Sequence, residues 1–589
     1  MVESVHTPKG PRQRVVCSLG KLDPGPAEKW LELASRVEPA ISGQLSLEGE
    51  DRKVQEIVAK AKERERKRGE RSAETAEVMM DGVEVEEARE AGPVHAGHQM
   101  WERLGVGEVL AQAGLSQRAR ALTEAMTLAC LIRPCSEHAM PDWMRRTAIP
   151  DILGYEVDSL AEDRLYRQLD RLHPARKKIE TALYERERNL FSLSPTVYLY
   201  DLTSTYFEGK CPKNPLARRG YSRDRRGDAK QLVVGLVLDG EGFPLAHEVF
   251  PGDRPDTTTL ADMLEALRAR GGAREGTTVI VDRGMAYDGN LKQITGAGYH
   301  YIVAARQKER EKWLSEFGDL GGFKKVERRP SPRNPHQKKS EVWVKEERGG
   351  GETLVLVKSA ERKEKDRAIR ELAEGRMVSD LKRLAASVER GNPKDPEKVG
   401  ERIGRILERY PRVAHCFDIS YDPAKGALSF ASNLLRRRLA EELDGAYLLR
   451  TDRSDLSPEE ARRLYMLLTR VERAFGDLKG PLSVRPVFHH LAHRAEAHIF
   501  LHVLAYHLLV AIEKSFPDRG VHTSWETVRD KLKTHQVVTV VLPTTQGSIL
   551  KIRRAAAPEP DHREIHEIPG IPEEPVKPKR TWESASCSD

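Results

Sequence analysis

Cysteine is scarce in this 589-residue sequence: six residues, Cys17, Cys130, Cys135, Cys211, Cys416 and Cys587, lie scattered along it. No CxxC pair occurs and no His/Cys group has the spacing of a zinc module, so the thiols read as reduced cysteines of a cytosolic protein. An apolar signal core is also missing, because the N-terminus MVESVHTPKGPRQRVVCSLG is charged from its start. No apolar run spans a bilayer comfortably. The most apolar, AHIFLHVLAYHLLVAI (497–512), is short for the task, carries three histidines and reads as a core helix. Charge of one sign does not dominate either: 98 Lys and Arg stand against 91 Asp and Glu. The net charge of +7 permits a nucleic-acid partner without establishing one. These absences describe a soluble, cytoplasmic chain with no membrane association, long enough for roughly two to four domains.

Residues 1–94 read as a hairpin (VESV and RQRVVCSLG, joined by HTPKGP) followed by a charged linker over 48–90. From 95 to 192 apolar residues recur at spacings of three and four, which predicts a helical domain with basic faces outward. The pattern then changes. TVYLYD (196–201), KQLVVGLVLD (230–239) and PLAHEVF (244–250) read as strands, 256–272 as a helix, TTVIVD (277–282) as a strand, and 289–306 as a helix and a strand. The order β-β-β-α-β-α-β over 193–306 is that of a ribonuclease-H-like core. Residues 307–444 break it and read as a β-rich insertion with hairpins at 341–358 and 416–430 around a charged helical stretch. The core resumes over 445–555, with a strand (445–451) and a helix over 457–479 started by a Ser457–Glu460 capping box and Pro458. The Pro- and charge-rich tail, 556–589, is expected to be disordered.

Asp201 closes a strongly apolar strand. A strand-end aspartate is ordinarily a turn or cap residue, and a metal ligand is the third possibility. Asp282 closes a second such strand. Were the two strands neighbours, the carboxylates would converge and repel unless divalent cations lay between them, which is the requirement of a two-metal phosphoryl-transfer site. Such a site takes one more carboxylate. In the helix 457–479, Tyr465, Leu468, Glu472 and Lys479 fall on one face, and Glu472 borders the apolar Val471, Phe475 and Leu478. Spacing alone leaves Glu472 a solvated helix residue or a ligand.

Three segments, YDLTSTYFEG, VIVDRGMAYDGNL and LYMLLTRVERAFGDLKGPLSVRPVFHH with AEAHIFLHVLAYHLL, resemble the DDE transposases of bacterial insertion sequences. More narrowly, they resemble the branch marked by Tyr-x2-Arg-x3-Glu-x6-Lys. The resemblance runs over roughly 95–545 and implies Asp201, Asp282 and Glu472 as the catalytic, metal-binding acids, with Tyr465 and Lys479 at the Tyr and Lys positions. The Arg position holds Leu468, a departure; Arg470 lies about 200° round the helix from it. It also implies two Mg²⁺ ions, for which Mn²⁺ substitutes, that activate water or a 3′-hydroxyl and stabilise the leaving 3′-oxygen. The implied partner is double-stranded DNA, both the element's terminal inverted repeats and the target, bound by a homodimer at the bacterial nucleoid. Lys479 and Tyr465 would contact DNA, and Arg283, beside the second acid, reads as a phosphate contact along with Arg470. Asp288 reads as a helix cap, the basic loop 213–230 as a DNA clamp or a solvated loop, and His489–His490 as packing or DNA-contact residues. End recognition is expected in the helical domain, 95–192. The alternatives are a ribonuclease-H-like nuclease that cuts without joining, and an inert DNA-binding remnant.

Overall fold

The computed structural model describes residues 2–7, 10–15 and 75–584, except 156, 158–159, 194–195, 271–275, 320, 329–335 and 337–338. Much of the expected charged linker, 48–74, lies outside the described residues. The expected N-terminal hairpin forms: β1 (Val2–Thr7) pairs antiparallel with β2 (Gly10–Val15). β3 (Glu84–Glu90) comes next, and it belongs to a sheet built with the other end of the chain.

Six helices follow, as the three-four periodicity requires: α1 (Gly92–Leu104), α2 (Val106–Gln112), α3 (Gln117–Ile132), α4 (Met140–Arg146), α5 (Ile149–Leu153) and α6 (Glu162–Leu190). Along α6, Leu165, Leu169, Leu172, Ile179 and Leu183 form one buried stripe. The main sheet begins with β4 (Val197–Tyr206), β5 (Gln231–Asp239) and β6 (Pro244–Pro251). α7 (Leu260–Ala269), β7 (Thr278–Val281), α8 (Asp288–Gly296) and β8 (His300–Ala304) complete the expected β-β-β-α-β-α-β order. β4 differs from expectation in one respect. It does not end at Asp201 but continues to Tyr206, because Leu202 to Tyr206 keep pairing with β5.

The segment 307–444 departs further from a β-rich insertion. After α9 (Gln307–Glu311) and α10 (Leu314–Gly318), β9 (Lys324–Lys325), β10 (Val342–Gly349) and β11 (Glu352–Ser359) extend the main sheet itself. α11 (Ala360–Glu389), α12 (Pro396–Arg409) and the hairpin of β12 (Phe417–Asp422) and β13 (Ala427–Ser432) then form an arm with its own small core, including Met377, Leu381 and Val399. α13 (Leu434–Glu442) leads back to β14 (Ala446–Thr451), which enters the main sheet between β8 and β11. The finished sheet has nine strands in the order β6-β5-β4-β7-β8-β14-β11-β10-β9.

The helix expected over 457–479 is two helices: α14 (Pro458–Tyr465), with its Ser457–Glu460 capping box, and α15 (Thr469–Lys479), separated by a 3-10 turn over Met466–Leu468. α16 (Ala492–Ser515) carries the most apolar stretch. Among the described residues it is the one helix long and apolar enough to cross a membrane, and its apolar window is 83% buried inside the protein. It packs on α3 and α6, so the N-terminal helices and the main sheet share one continuous core and the helical segment is not a separate unit. α17 (Trp525–Leu532), β15 (Gln536–Pro543) and β16 (Ser548–Ala555) follow. The tail is not disordered: α18 (Pro560–Glu567) and β17 (Lys579–Ser584) are formed, and β17 closes a four-stranded sheet ordered β17-β16-β15-β3.

A buried ionic cluster ties the helices to the sheet. Glu180 of α6, 2% exposed, accepts from the Arg270 guanidinium at 2.6 Å and pairs with the His247 ring of β6. Arg270 also reaches Glu248 at 3.0 Å. Burial alone would push the Glu180 carboxyl up, but His247 and Arg270 outweigh it and hold it below the usual range. Removing one partner of such a pair strands the other in the interior. Glu180→Ala is therefore expected to lower unfolding free energy by about 3–5 kcal/mol, read from the denaturant midpoint; an unchanged midpoint would show that the cluster contributes nothing.

Candidate active site

β4 and β7 run parallel, with Val197 to Tyr200 opposite Thr278 to Val281. Continued by one residue, that register sets Asp201 beside Asp282. Asp282 remains in extended backbone (φ −72°, ψ 161°), so the alternation of side chains carries through it. Tyr200 and Val281 face the core beneath α7 and α8, whereas Leu199 and Ile280 face the core beneath α15 and α16. Asp201 and Asp282 share parity with Leu199 and Ile280, so both emerge on the α15 side. α15 packs on β4 and buries Val471, Ala474, Phe475 and Leu478, which leaves Glu472 on its exposed border.

Asp282 and Glu472 lie close enough for their charges to act on Asp201. Burial pushes the Asp201 carboxyl up to about 7, and the charges of Asp282 and Glu472 push the same way. The Leu202 N–H, donating to Asp201 Oδ1 at 2.7 Å, and the Arg223 guanidinium offset only part of this. Arg223 is itself held by Asp256 at 2.5 Å. A contrast comes from Asp239, at the end of β5, where Oδ1 accepts from the N–H groups of Glu241, Gly242 and Phe243. That aspartate is a turn residue in the ordinary sense; Asp201 and Asp282 are not.

Tyr465, at the end of α14, joins the site. Burial first, and then the charge of Asp282, push its phenol well above the ordinary value. Arg283 lies near Tyr465 as well, and its Nε is buried without a hydrogen-bond partner. Lys479 does not join. It pairs at 2.8 Å with Asp224, which is 4% exposed and also bound by Arg485, so it anchors the basic loop 213–230. That loop runs so close to the sheet that a Cβ on Gly220 would come within 2.1 Å of the Gly252 carbonyl oxygen. Arg470 donates to the Gly240 carbonyl at the β5–β6 turn, beyond the opposite end of β4 from Tyr206. Leu468, at the signature Arg position, is buried in the core. Asp288 is the first residue of α8 rather than its cap, and Arg450 binds it at 3.1 Å.

Arg223 comes from the basic loop 213–230, read above as a DNA clamp or a solvated loop. Sequence reading missed two cations, Arg310 and Arg362, which come from 307–444 and line one pocket with Arg283. Arg310 is held below the usual guanidinium range by burial and by the like charges of Arg283 and Arg362. No spacing signal could have found them, because folding brings them in from distant segments. A shared carboxylate surface is thus bordered by crowded guanidiniums, an arrangement suited to cations and phosphodiesters together.

Asp201 also gives the site a pH signature. The folded protein keeps it protonated up to about pH 7, whereas its ordinary value is 3.8. Between these values the native state holds the extra proton, so stability falls as pH rises through the window. In metal-free buffer Asp201→Asn is expected to melt above the wild type at about pH 8, with the gap closing towards about pH 4. A gap independent of pH would refute the buried-acid assignment.

Comparison with known proteins covers this same unit. No curated protein matches the chain. Among solved structures it is similar to the cryo-EM structure of the piggyBac transposase synaptic complex with hairpin DNA, at a TM-score of 0.33 and 8% identity, over 71% of this chain and 70% of that one. The model of the family described as "Transposase DDE domain" matches residues 192–508, more than half of the chain and the span that holds Asp201, Asp282, Glu472 and Tyr465. The chain belongs to the DDE transposase domain family.

Proposed function

We propose that the chain is the transposase of a bacterial insertion sequence. It binds the terminal inverted repeats of its element, cuts the DNA at their ends and joins the freed 3′ ends to target DNA. It acts in the cytoplasm, on the nucleoid, as a homodimer that pairs two ends. Residues 193–306 and 445–515 serve as its ribonuclease-H-like catalytic core. The observation that carries this reading is the meeting of Asp201, Asp282 and Glu472 on one face of the sheet, with the Asp201 carboxyl raised by burial first and by the charges of the other two in the same direction.

The donor set fits divalent ions. It is all carboxylate, which suits hard cations such as Mg²⁺ and, as a substitute, Mn²⁺. Its negative charge exceeds what Arg223 alone offsets. Asp201, Asp282 and Glu472 would hold two such ions, which lower the pKa of the attacking hydroxyl and stabilise the leaving 3′-oxygen. The remaining work falls to side chains of the chain itself. The Tyr465 phenol stays protonated beside Asp282 and can donate a hydrogen bond to a phosphate oxygen. Arg283, with Arg310 and Arg362 near it, draws the DNA backbone over the acids. Lys479, through Asp224, holds the basic loop against α15, and so positions Arg223 rather than meeting DNA in this state.

Incubation with Mg²⁺ and a DNA fragment bearing the element's ends tests the reading. Cleavage with joined product supports a transposase, cleavage alone the nuclease alternative, and binding alone an inert remnant. Asp201→Asn is expected to abolish cutting while end binding stays within a few fold; full activity in that variant removes the metal-site assignment. Arg283→Ala is expected to weaken binding evenly across DNA sequences. It should lower the slope of log affinity on log salt by about 1, and an unchanged slope would exclude the phosphate contact.

A further inference from the structure

Outside the carboxylate site, Glu137, His489 and His498 each present one ligand atom, and the three atoms lie within 4.8 Å of one another. The other such trio among the described residues, His98, Glu102 and Glu124, has a single imidazole and an exposed member. Two members of the first trio are buried, His489 at 6% exposure and Glu137 at 7%, and His498 is half-buried. Its members arrive from three places, namely the turn between α3 and α4, the segment between α15 and α16, and the first turns of α16. His489 Nε2 lies 3.3 Å from Glu137 Oε1. The His489 and His498 ring centroids are 5.1 Å apart, and the ring of His502, one turn further along α16 and buried, lies 4.3 Å from that of His498 at a tilt of 55°.

The hydrogen bonds fix which nitrogens are free. His498 Nε2 sits 3.0 Å from the Val484 carbonyl, and His502 Nδ1 sits 2.8 Å from the His498 carbonyl. A carbonyl only accepts, so each of these nitrogens carries the proton. His498 is left with a lone pair on Nδ1 and His502 with one on Nε2. An imidazole whose second N–H donates to a carbonyl has the arrangement that orients metal-ligating histidines.

We propose that Glu137, His489 and His498 form a zinc site that fastens the N-terminal helices to the segment following α15. Imidazole nitrogens with one carboxylate oxygen suit Zn²⁺. The segment it holds also grips the end of β4, where Val487 N donates to the Tyr206 carbonyl at 2.9 Å and Glu208 N to the Val487 carbonyl at 3.0 Å. Zinc at this point would brace the strand that carries Asp201. It does not require the reaction proposed above.

The test uses the full chain without a histidine tag, grown with zinc and dialysed. Plasma mass spectrometry is expected to find about one zinc per chain, in the wild type and equally in Asp201→Asn. His489→Gln and Glu137→Gln should carry none above background while keeping the wild-type far-ultraviolet circular dichroism. Adding ZnCl₂ to chelator-stripped wild type should raise its melting temperature, and Co²⁺ in its place should give the intense visible bands of a tetrahedral site. A wild type that retains no zinc and shows no ZnCl₂-dependent melting shift overturns the proposal, as does wild-type zinc content in both ligand variants. Loss of zinc in Asp201→Asn would place the ion at the carboxylates instead and overturn it equally. If either variant fails to fold, the Co²⁺ spectrum of the wild type decides.

Discussion

The parallel register of β4 and β7 is the constraint on which the site depends. It places two carboxylates side by side at the point where β7 stops, on the face that α15 covers. Strand pairing fixes backbone positions, so the aspartates cannot move apart without breaking the sheet. Their repulsion has to be met by protonation, by a cation from the chain or by cations from solution. Arg223 supplies part of the second remedy, and the raised Asp201 carboxyl reports the first. The third remedy is the chemistry that a metal-dependent phosphoryl-transfer enzyme uses.

Much of this was written locally in the sequence. β-branched and aromatic runs gave β4 and β7, the capping box gave the start of α14, and glycine and proline marked the turns. The two aspartates could be paired only by assuming neighbouring strands, and the observed topology supplies that assumption. What could not be read was non-local. Asp201 looked terminal because the apolar run pauses there, yet pairing with β5 carries the strand onward. The tail looked disordered by composition, but β17 needs only one partner strand, β16, to become ordered. Lys479 was expected to meet phosphate, and a buried aspartate from an irregular loop claimed it. His489 and His498 lie within ten residues of each other; Glu137, which completes the cluster, is brought by packing from the helical layer.

The helical layer and the catalytic sheet are mechanically one body. α16 is buried between them, His507 on it pairs with Glu187 of α6 at 2.7 Å, and the Glu180–His247–Arg270 cluster joins α6 to β6. The N-terminal helices and the sheet that holds β4 are therefore joined by packed, ion-paired contacts rather than by a linker. The arm of α11 and α12, by contrast, has its own core and meets the main sheet at β11, so it can be varied in length with less effect on the acids.

The four-stranded sheet has a consequence in time. Glu90 pairs with Gln536, so a strand waits for a partner made far later in the chain. Until then β3 remains an open edge, and such long-range closure is slow and exposed to wrong pairing. A nascent chain already holds Asp201 and Asp282 long before Glu472 leaves the ribosome, so the three carboxylates can meet only after the whole 307–444 segment has been made.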